Sequence, residues 1–236
     1  MRDTRKNKQY YEEYLNEENQ RIANYKDLVI KVQDKFPTDH ERIKKAYGMV
    51  LSLSVFKLNA LYSMGTEIET IKDYYYEVVE YMQKGWNSES YTTMLWMVSW
   101  GILLGASHES MQSLYELQSK AKKEDFLIEY LFHASKPIWG INTKKLLFPE
   151  DFKTLREVVQ LEDKKVAINR LKFYLENEWY EMYDDTGWYE SHNHSEKIYS
   201  GYWSYESGAI AKVLQLDDEA LKNVPYYPYD LVHYRN

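Results

Sequence analysis

Cysteine is absent from all 236 residues, which excludes disulfides and thiolate nucleophiles and accords with a reducing compartment. An apolar leader is lacking as well. Met1-Arg2-Asp3-Thr4-Arg5-Lys6 runs straight into charge, so no secretory signal is expected and the cytoplasm is the expected location. There is no phosphate-binding glycine loop and no nucleophile elbow, and no period of about 34 residues recurs, so nucleotide chemistry and a helical repeat array lack support. Sustained apolar–polar alternation is nearly missing, which leaves few strand signals. Long apolar runs are scarce too. Residues 90–107 are eighteen positions without a formal charge, the lower limit for a spanning helix, but Thr92, Thr93, Ser99, Gly101 and Gly105 dilute the run and no basic flank marks an inside end. A buried core helix is expected there, and no membrane partner.

What is present is helical pattern on a chain with 44% hydrophobic content, enough for one large core or two small ones. Residues 4–33 carry Tyr11, Tyr14, Ile22, Tyr25, Val29 and Val32 at loosely helical spacing before Phe36-Pro37 ends the run. Thr38-x-x-Glu41 and Thr66-x-x-Glu69 read as capping boxes for the next two helices, the first stopping near Gly65 and the second near Gly85. Ser88 or Ser90 opens the apolar helix around residues 94–104. Ser107 caps a fifth helix whose end carries Lys120, Lys122 and Lys123. The pattern lapses at Lys136-Pro137-Ile138-Trp139-Gly140 and Phe148-Pro149, then resumes over 149–160 and, capped by Asp163, over 163–182. The expectation is an all-α bundle of two helical halves, 1–134 and 149–236, joined by a connector at 135–148, with an extended aromatic tail.

The net charge of −7 is unevenly spread. Between residues 175 and 219 stand eleven acids against Lys197 and Lys212, so the whole negative excess comes from this stretch. Such a surface repels phosphate, and nucleic acid is not an expected partner.

The last forty residues are the most distinctive. Gly201-Tyr202-Trp203-Ser204-Tyr205-Glu206 opens an apolar helix, with Tyr199, Trp203, Glu206, Ile210 and Val213 three or four apart on one expected face. Asp217-Asp218 follows, Asp217 being the expected cap of a short helix over 218–223. The tail reads Tyr226-Tyr227-Pro228-Tyr229-Asp230-Leu231. This arrangement resembles the C-terminal signature of the PoNi family, immunity proteins that neutralise PoNe-type DNase toxins of interbacterial competition. That signature is a Gly-Tyr-Trp-(Ser/Ala)-(Phe/Tyr)-Glu helix, an Asp-Asp step and a Tyr-Tyr-Pro-x-Asp-Leu tail. The resemblance implies a nuclease-binding protein rather than an enzyme, with Gly201, Trp203, Glu206, Asp217, Asp218, Tyr227, Pro228 and Asp230 as a structural motif.

Four constellations bear on chemistry. His192-x-His194, with Asp184, Asp185 and Glu190 nearby, holds zinc- or manganese-type ligand atoms, but its spacing matches no specific metal motif, and no metal or cofactor is expected. Glu176, Glu178 and Glu181 suit a solvated acidic face better than an acid–base pair. Glu206, an acid on an apolar stripe, must find donors or shift its pKa upward, and a structural role bonded to the tail backbone or a tyrosine is expected. Finally, Trp179, Tyr180, Tyr183, Trp188 and Tyr189 interleave with the acids in a composition that suits both core and binding hot spot. The basic residues Arg2, Arg5, Lys6 and Lys8 read as a solvated helix start. The candidate toxin-binding set is therefore Glu178, Trp179, Asp184, Asp185, Trp188 and Glu190. The readings that compete with an immunity protein are a metal-dependent hydrolase on a helical bundle and a general helical interaction scaffold.

Overall fold

The computed structural model describes residues 1–235, which form ten α-helices and no strand. Contacts gather the chain into two compact units. The first comprises Met1–Tyr91 and Glu190–Tyr202; the second comprises Thr92–Tyr189 and the chain from Trp203 onward. This contact grouping follows different bounds from the expected halves 1–134 and 149–236: residues 92–134 group with the second unit and residues 190–202 with the first.

In the first unit, α1 (Lys8–Lys35), α2 (His40–Met64) and α3 (Ile68–Gly85) pack in sequence, α2 between the other two. Each buries a stripe at helical spacing. Tyr11, Tyr14, Leu15, Ile22 and Val29 do so on α1, and Ile71, Tyr75, Val78, Val79 and Met82 on α3. Two expected caps are displaced. Asp39, not Thr38, caps α2 by accepting from the Arg42 N–H at 3.0 Å, a carboxylate being the stronger acceptor at a helix N-terminus. Thr66 caps nothing. Helix α3 opens after Glu67 with no side-chain cap, and Thr66 Oγ1 is buried without a partner. Helix α1 starts at Lys8 under an Asn7 cap, because the residues before it clip onto the end of α2. The Arg2 and Asp3 amides donate to the Ser63 carbonyl, and the Arg2 guanidinium donates to the Tyr62 and Thr66 carbonyls. A cation sits against carbonyls at the C-terminal end of α2, where the helix dipole favours it. The basic N-terminus is thus partly a tether, not only a solvated start.

Residues 190–202 cross this unit as extended chain with a single 3-10 turn, Ser191–Asn193. Tyr199 therefore lies on no helix, contrary to the periodic reading. Its backbone is clasped by the Tyr10 hydroxyl, which accepts from the Tyr199 amide and donates to its carbonyl, both at 2.9 Å. Its own hydroxyl donates to buried Asp3 at 2.5 Å. Asn59 of α2 donates to Ser200 Oγ and to the Gly201 carbonyl, and Ser63 to the Ser200 carbonyl. Gly201 has φ of +118°, which explains why the motif begins with the one residue lacking a Cβ.

The second unit holds α4 (Tyr91–Leu104, all but its first residue), α5 (His108–Ala121), α6 (Phe126–Ser135), α7 (Pro149–Gln160), α8 (Lys164–Asn177), α9 (Tyr205–Leu214) and α10 (Tyr229–Val232). Helix α4 is the buried core helix expected, with Met94, Leu95, Met97, Val98, Ser99, Trp100, Leu103 and Leu104 out of solvent. No helix among the described residues is long and apolar enough to cross a membrane. The connector is non-helical as expected, but it is fastened to this unit. The Asp125 carboxylate caps α6 at Ile128 N and also accepts from Leu147 N, while Glu129 accepts from the amides of Asn142 and Thr143. Helix α8 stops at Asn177, five residues before the expected end, and the 3-10 turn Glu181–Tyr183 follows. The tail is not simply extended either, since Tyr229–Val232 forms α10.

Candidate functional site

Glu206 organises the second unit from the first turn of α9. It is fully buried, and its Oε1 accepts the Trp179 indole N–H at 2.6 Å and lies 2.8 Å from Ser204 Oγ. Its partners are thus an indole and a serine rather than the tail backbone or a tyrosine. Oε2 has no partner. Burial pushes the carboxyl up to about 7, and the bonds from Ser204 and Trp179 only partly offset this. Trp203, expected on the same helical face, precedes the helix and is half-buried.

The tail is bound to α9 and to the Asp-Asp step. The Ser204 amide donates to the Tyr226 carbonyl at 2.8 Å. A Cβ on Gly208 would stand 2.6 Å from Pro228 Cγ, so the bare backbone of α9 is what admits the proline. Asp218 accepts from the Tyr227 hydroxyl at 2.5 Å and faces His233 Nε2 at 2.9 Å. Asp217 does not act as the expected cap. It is exposed, and the 3-10 turn Glu219–Leu221 begins after Asp218 without a side-chain cap. Asp230 lies exposed in the first turn of α10.

The candidate binding residues fall into distinct environments. Trp179 is wholly buried, with Tyr226, Tyr183 and Trp188 rings around it at centroid distances of 4.8, 5.4 and 6.0 Å. As folded it offers no surface to a partner, which corrects its place in the binding set: its indole N–H serves Glu206. Glu178 is internally engaged, accepting from Arg170 Nη1 at 3.2 Å and from Thr154 Oγ1 at 2.6 Å, and so ties α7 to α8. Trp188 is half-buried over Tyr183, with ring centroids 4.6 Å apart. Asp184 and Asp185 are exposed, and no ion pair or side-chain hydrogen bond holds either one among the described residues. Glu190 is exposed in the first unit, in a left-handed backbone with φ of 53°.

The histidines do not converge with the acids. His192 Nδ1 lies 2.9 Å from the Tyr202 hydroxyl, and its pKa is lowered by burial and then by Arg5, while His194 Nδ1 accepts from the Glu196 amide. No group of three His, Asp or Glu among the described residues could hold a metal ion.

Two features escape sequence reasoning. Asp151, in the first turn of α7, has its pKa raised by burial and then by Asp185 and Glu150. Pro149-Glu150-Asp151 at a helix start was the available signal, and it reads as ordinary helix-dipole complementation. The second is a stack of surface tyrosines: Tyr180 lies 4.5 Å from Tyr189 and 5.3 Å from Tyr226, and Tyr226 is held at φ of 68°. Nothing in the local sequence brings residue 226 to residue 180.

The fold and these surfaces define an all-helical protein in which Gly201, Glu206, Asp218, Tyr227 and Pro228 serve internal support, while carboxylates at 184 and 185 stand exposed. Comparison with known families makes this specific. Residues 2–116 match the N-terminal model of the PoNe immunity proteins (PoNi) and residues 123–231 the C-terminal model, and the chain belongs to this family. Among solved structures it is similar to protein PA2201 from Pseudomonas aeruginosa, with a TM-score of 0.71 and 18% identity over 99% of this chain and 90% of that one. That likeness concerns the fold. The comparison with curated proteins gave no match.

Proposed function

We propose that this protein binds a PoNe-type DNase in the cytoplasm and silences it by laying the acidic, aromatic surface of residues 180–189 over the basic groove that would hold DNA. The family membership of both parts of the chain carries the reading, because an immunity protein acts through its cognate toxin. The surface assignment is supported by Asp184 and Asp185, which face solvent without a partner. Carboxylates left unpaired on a surface are available to compete with phosphate for the basic residues of a nuclease. Half-buried Trp188 supplies apolar area at the edge of the same turn. No catalytic residue, metal or cofactor enters this reading. The test is a DNA-cleavage assay with a purified PoNe-type nuclease. Stoichiometric protein should abolish cleavage, and surface-immobilised kinetics should show binding that weakens with salt. Absence of both binding and protection refutes the assignment.

A further inference from the structure

The first unit holds a cation without a counter-ion. Lys57 of α2 is half-buried, its Nζ lies 3.9 Å from the centroid of the Tyr74 ring on α3, and no ion pair or hydrogen bond holds it among the described residues. The charged groups within its reach, Glu77, Lys26 and Glu18, are already matched. Lys26 of α1 pairs with Glu77 of α3 at 2.8 Å, and Glu77 also accepts from the Tyr81 hydroxyl. Buried Glu18 pairs with Arg21 at 2.8 Å. The positive charge left over is therefore the one on Lys57. Burial lowers its pKa, and Glu77 and Glu18 restore it only in part.

Two hydroxyls beside it are unsatisfied as well. Ser54 stands one turn before Lys57 on α2, so the two side chains share a face, and the Ser54 hydroxyl is fully buried with no partner. The Tyr74 hydroxyl, on the ring beneath Lys57, is buried and faces Ser54 without closing a hydrogen bond to it. Buried hydroxyls without partners are rare in folded proteins. Two of them beside an unpaired ammonium share one deficit, an acceptor. Water would accept from the hydroxyls but bring no charge. A carboxylate brings two acceptor oxygens and one negative charge together. A phosphate dianion would overfill the site, because Glu18 and Glu77 already flank the single surplus cation.

We propose that Lys57, Ser54 and Tyr74 form a seat for one carboxylate, carried either by a free monocarboxylate or by an acidic side chain of the PoNe partner. Lys57 supplies the charge from the Tyr74 face, and the two hydroxyls supply donors from below. Only the second of these sources rests on the immunity reading.

The experiment follows lysine side chains by NMR in the intact, isotope-labelled chain, titrated with sodium acetate and with sodium chloride at matched ionic strength. The spectrum of Lys57→Met identifies the Lys57 signal. Acetate should shift that signal saturably and raise the pH at which it titrates by about one unit, while chloride should do neither. A Ser54→Ala/Tyr74→Phe variant keeps the cation and the ring and removes only hydroxyls that make no bond. It should melt at or above the parent's temperature and bind acetate about tenfold more weakly. Equal responses to acetate and chloride, or an undiminished acetate affinity in the folded variant, overturn the seat. Purified PoNe-type nuclease then separates the two sources. Displacement of acetate assigns the seat to an acidic side chain of the partner, and simultaneous binding assigns it to a free carboxylate. The acetate titration needs no nuclease, so a failed seat and a failed immunity reading are distinct results.

Discussion

Glu206→Gln tests the central support of the second unit. In the native protein the carboxyl titrates near 7, against about 4.5 in an unfolded chain, so folding favours the protonated form. Below pH about 4.5 both states hold the proton and the group adds no pH dependence. Between about 4.5 and 7 the unfolded chain releases its proton while the folded one keeps it, so stability falls as pH rises. Above about 7 the loss is complete. A shift of roughly two and a half pKa units corresponds to about 3 kcal/mol. Glutamine mimics the neutral acid: its carbonyl oxygen can accept from Trp179 and Ser204, and its amide occupies the place of Oε2, which has no protein donor to lose. The variant should therefore match the parent near pH 4.5 and exceed it at pH 8 by about 3 kcal/mol, on the order of 10 °C in melting temperature. Thermal melts by circular dichroism at half-unit steps from pH 4.5 to 8.5 measure the difference, which isolates Glu206 from other titrating groups. A parent–variant difference that stays flat across that window, or a variant less stable at pH 8, refutes the buried neutral carboxyl. Glu206→Ala acts in the opposite direction. It leaves the buried Trp179 N–H without an acceptor and should lower stability by about 1 to 3 kcal/mol, with protection lost through unfolding.

In the first unit, Tyr199→Phe removes the hydroxyl that donates to buried Asp3 and should destabilise by about 1 to 3 kcal/mol in urea titrations, an unchanged midpoint being the contrary result. Elemental analysis after mild purification should find no stoichiometric zinc or manganese; one equivalent, lost on His192→Ala, would instead support the hydrolase reading. Reversing Asp184 and Asp185 to Lys should slow toxin association and flatten its salt dependence, whereas Trp188→Ala should mainly raise the dissociation rate. Folded variants that bind and protect like the parent would place the interface elsewhere.

The helices were legible where periodicity and burial coincide. The α1 stripe from Tyr11 to Val29, the uncharged α4 and the Asp163 cap of α8 follow from local pattern alone. The errors have a common cause, namely competition from distant partners. Tyr199 has the right spacing for the α9 face, but Tyr10 and Asp3 hold it in extended chain 189 and 196 residues away in sequence. Residues before Lys8 have helical propensity but are drawn to the carbonyls at the end of α2. Glu206 was recognisable as a buried acid from its apolar neighbours. That its donor would be Trp179 was not, because an aromatic among acids carries the same sequence signal whether it faces a partner or the core.

Trp179, expected among the binding residues, is buried as deeply as the motif residue Glu206 that it serves. Trp179, Glu206, Asp218, Tyr227 and Pro228 are all withdrawn from solvent, and each holds another part of the second unit in place. These residues therefore serve this chain's own packing, and the proposed toxin contact falls to side chains they leave exposed. Glu178, bound to Arg170 and Thr154, belongs with the scaffold. Asp184 and Asp185 do not, being exposed and held by no ion pair or side-chain hydrogen bond among the described residues. A surface built on a turn can vary without disturbing the Glu206 clasp beneath it, because the exposed carboxylates make no bond on which the fold depends. On that logic, exchanging residues 184 and 185 should alter toxin binding at nearly constant stability, whereas exchanging residue 206 should alter both together.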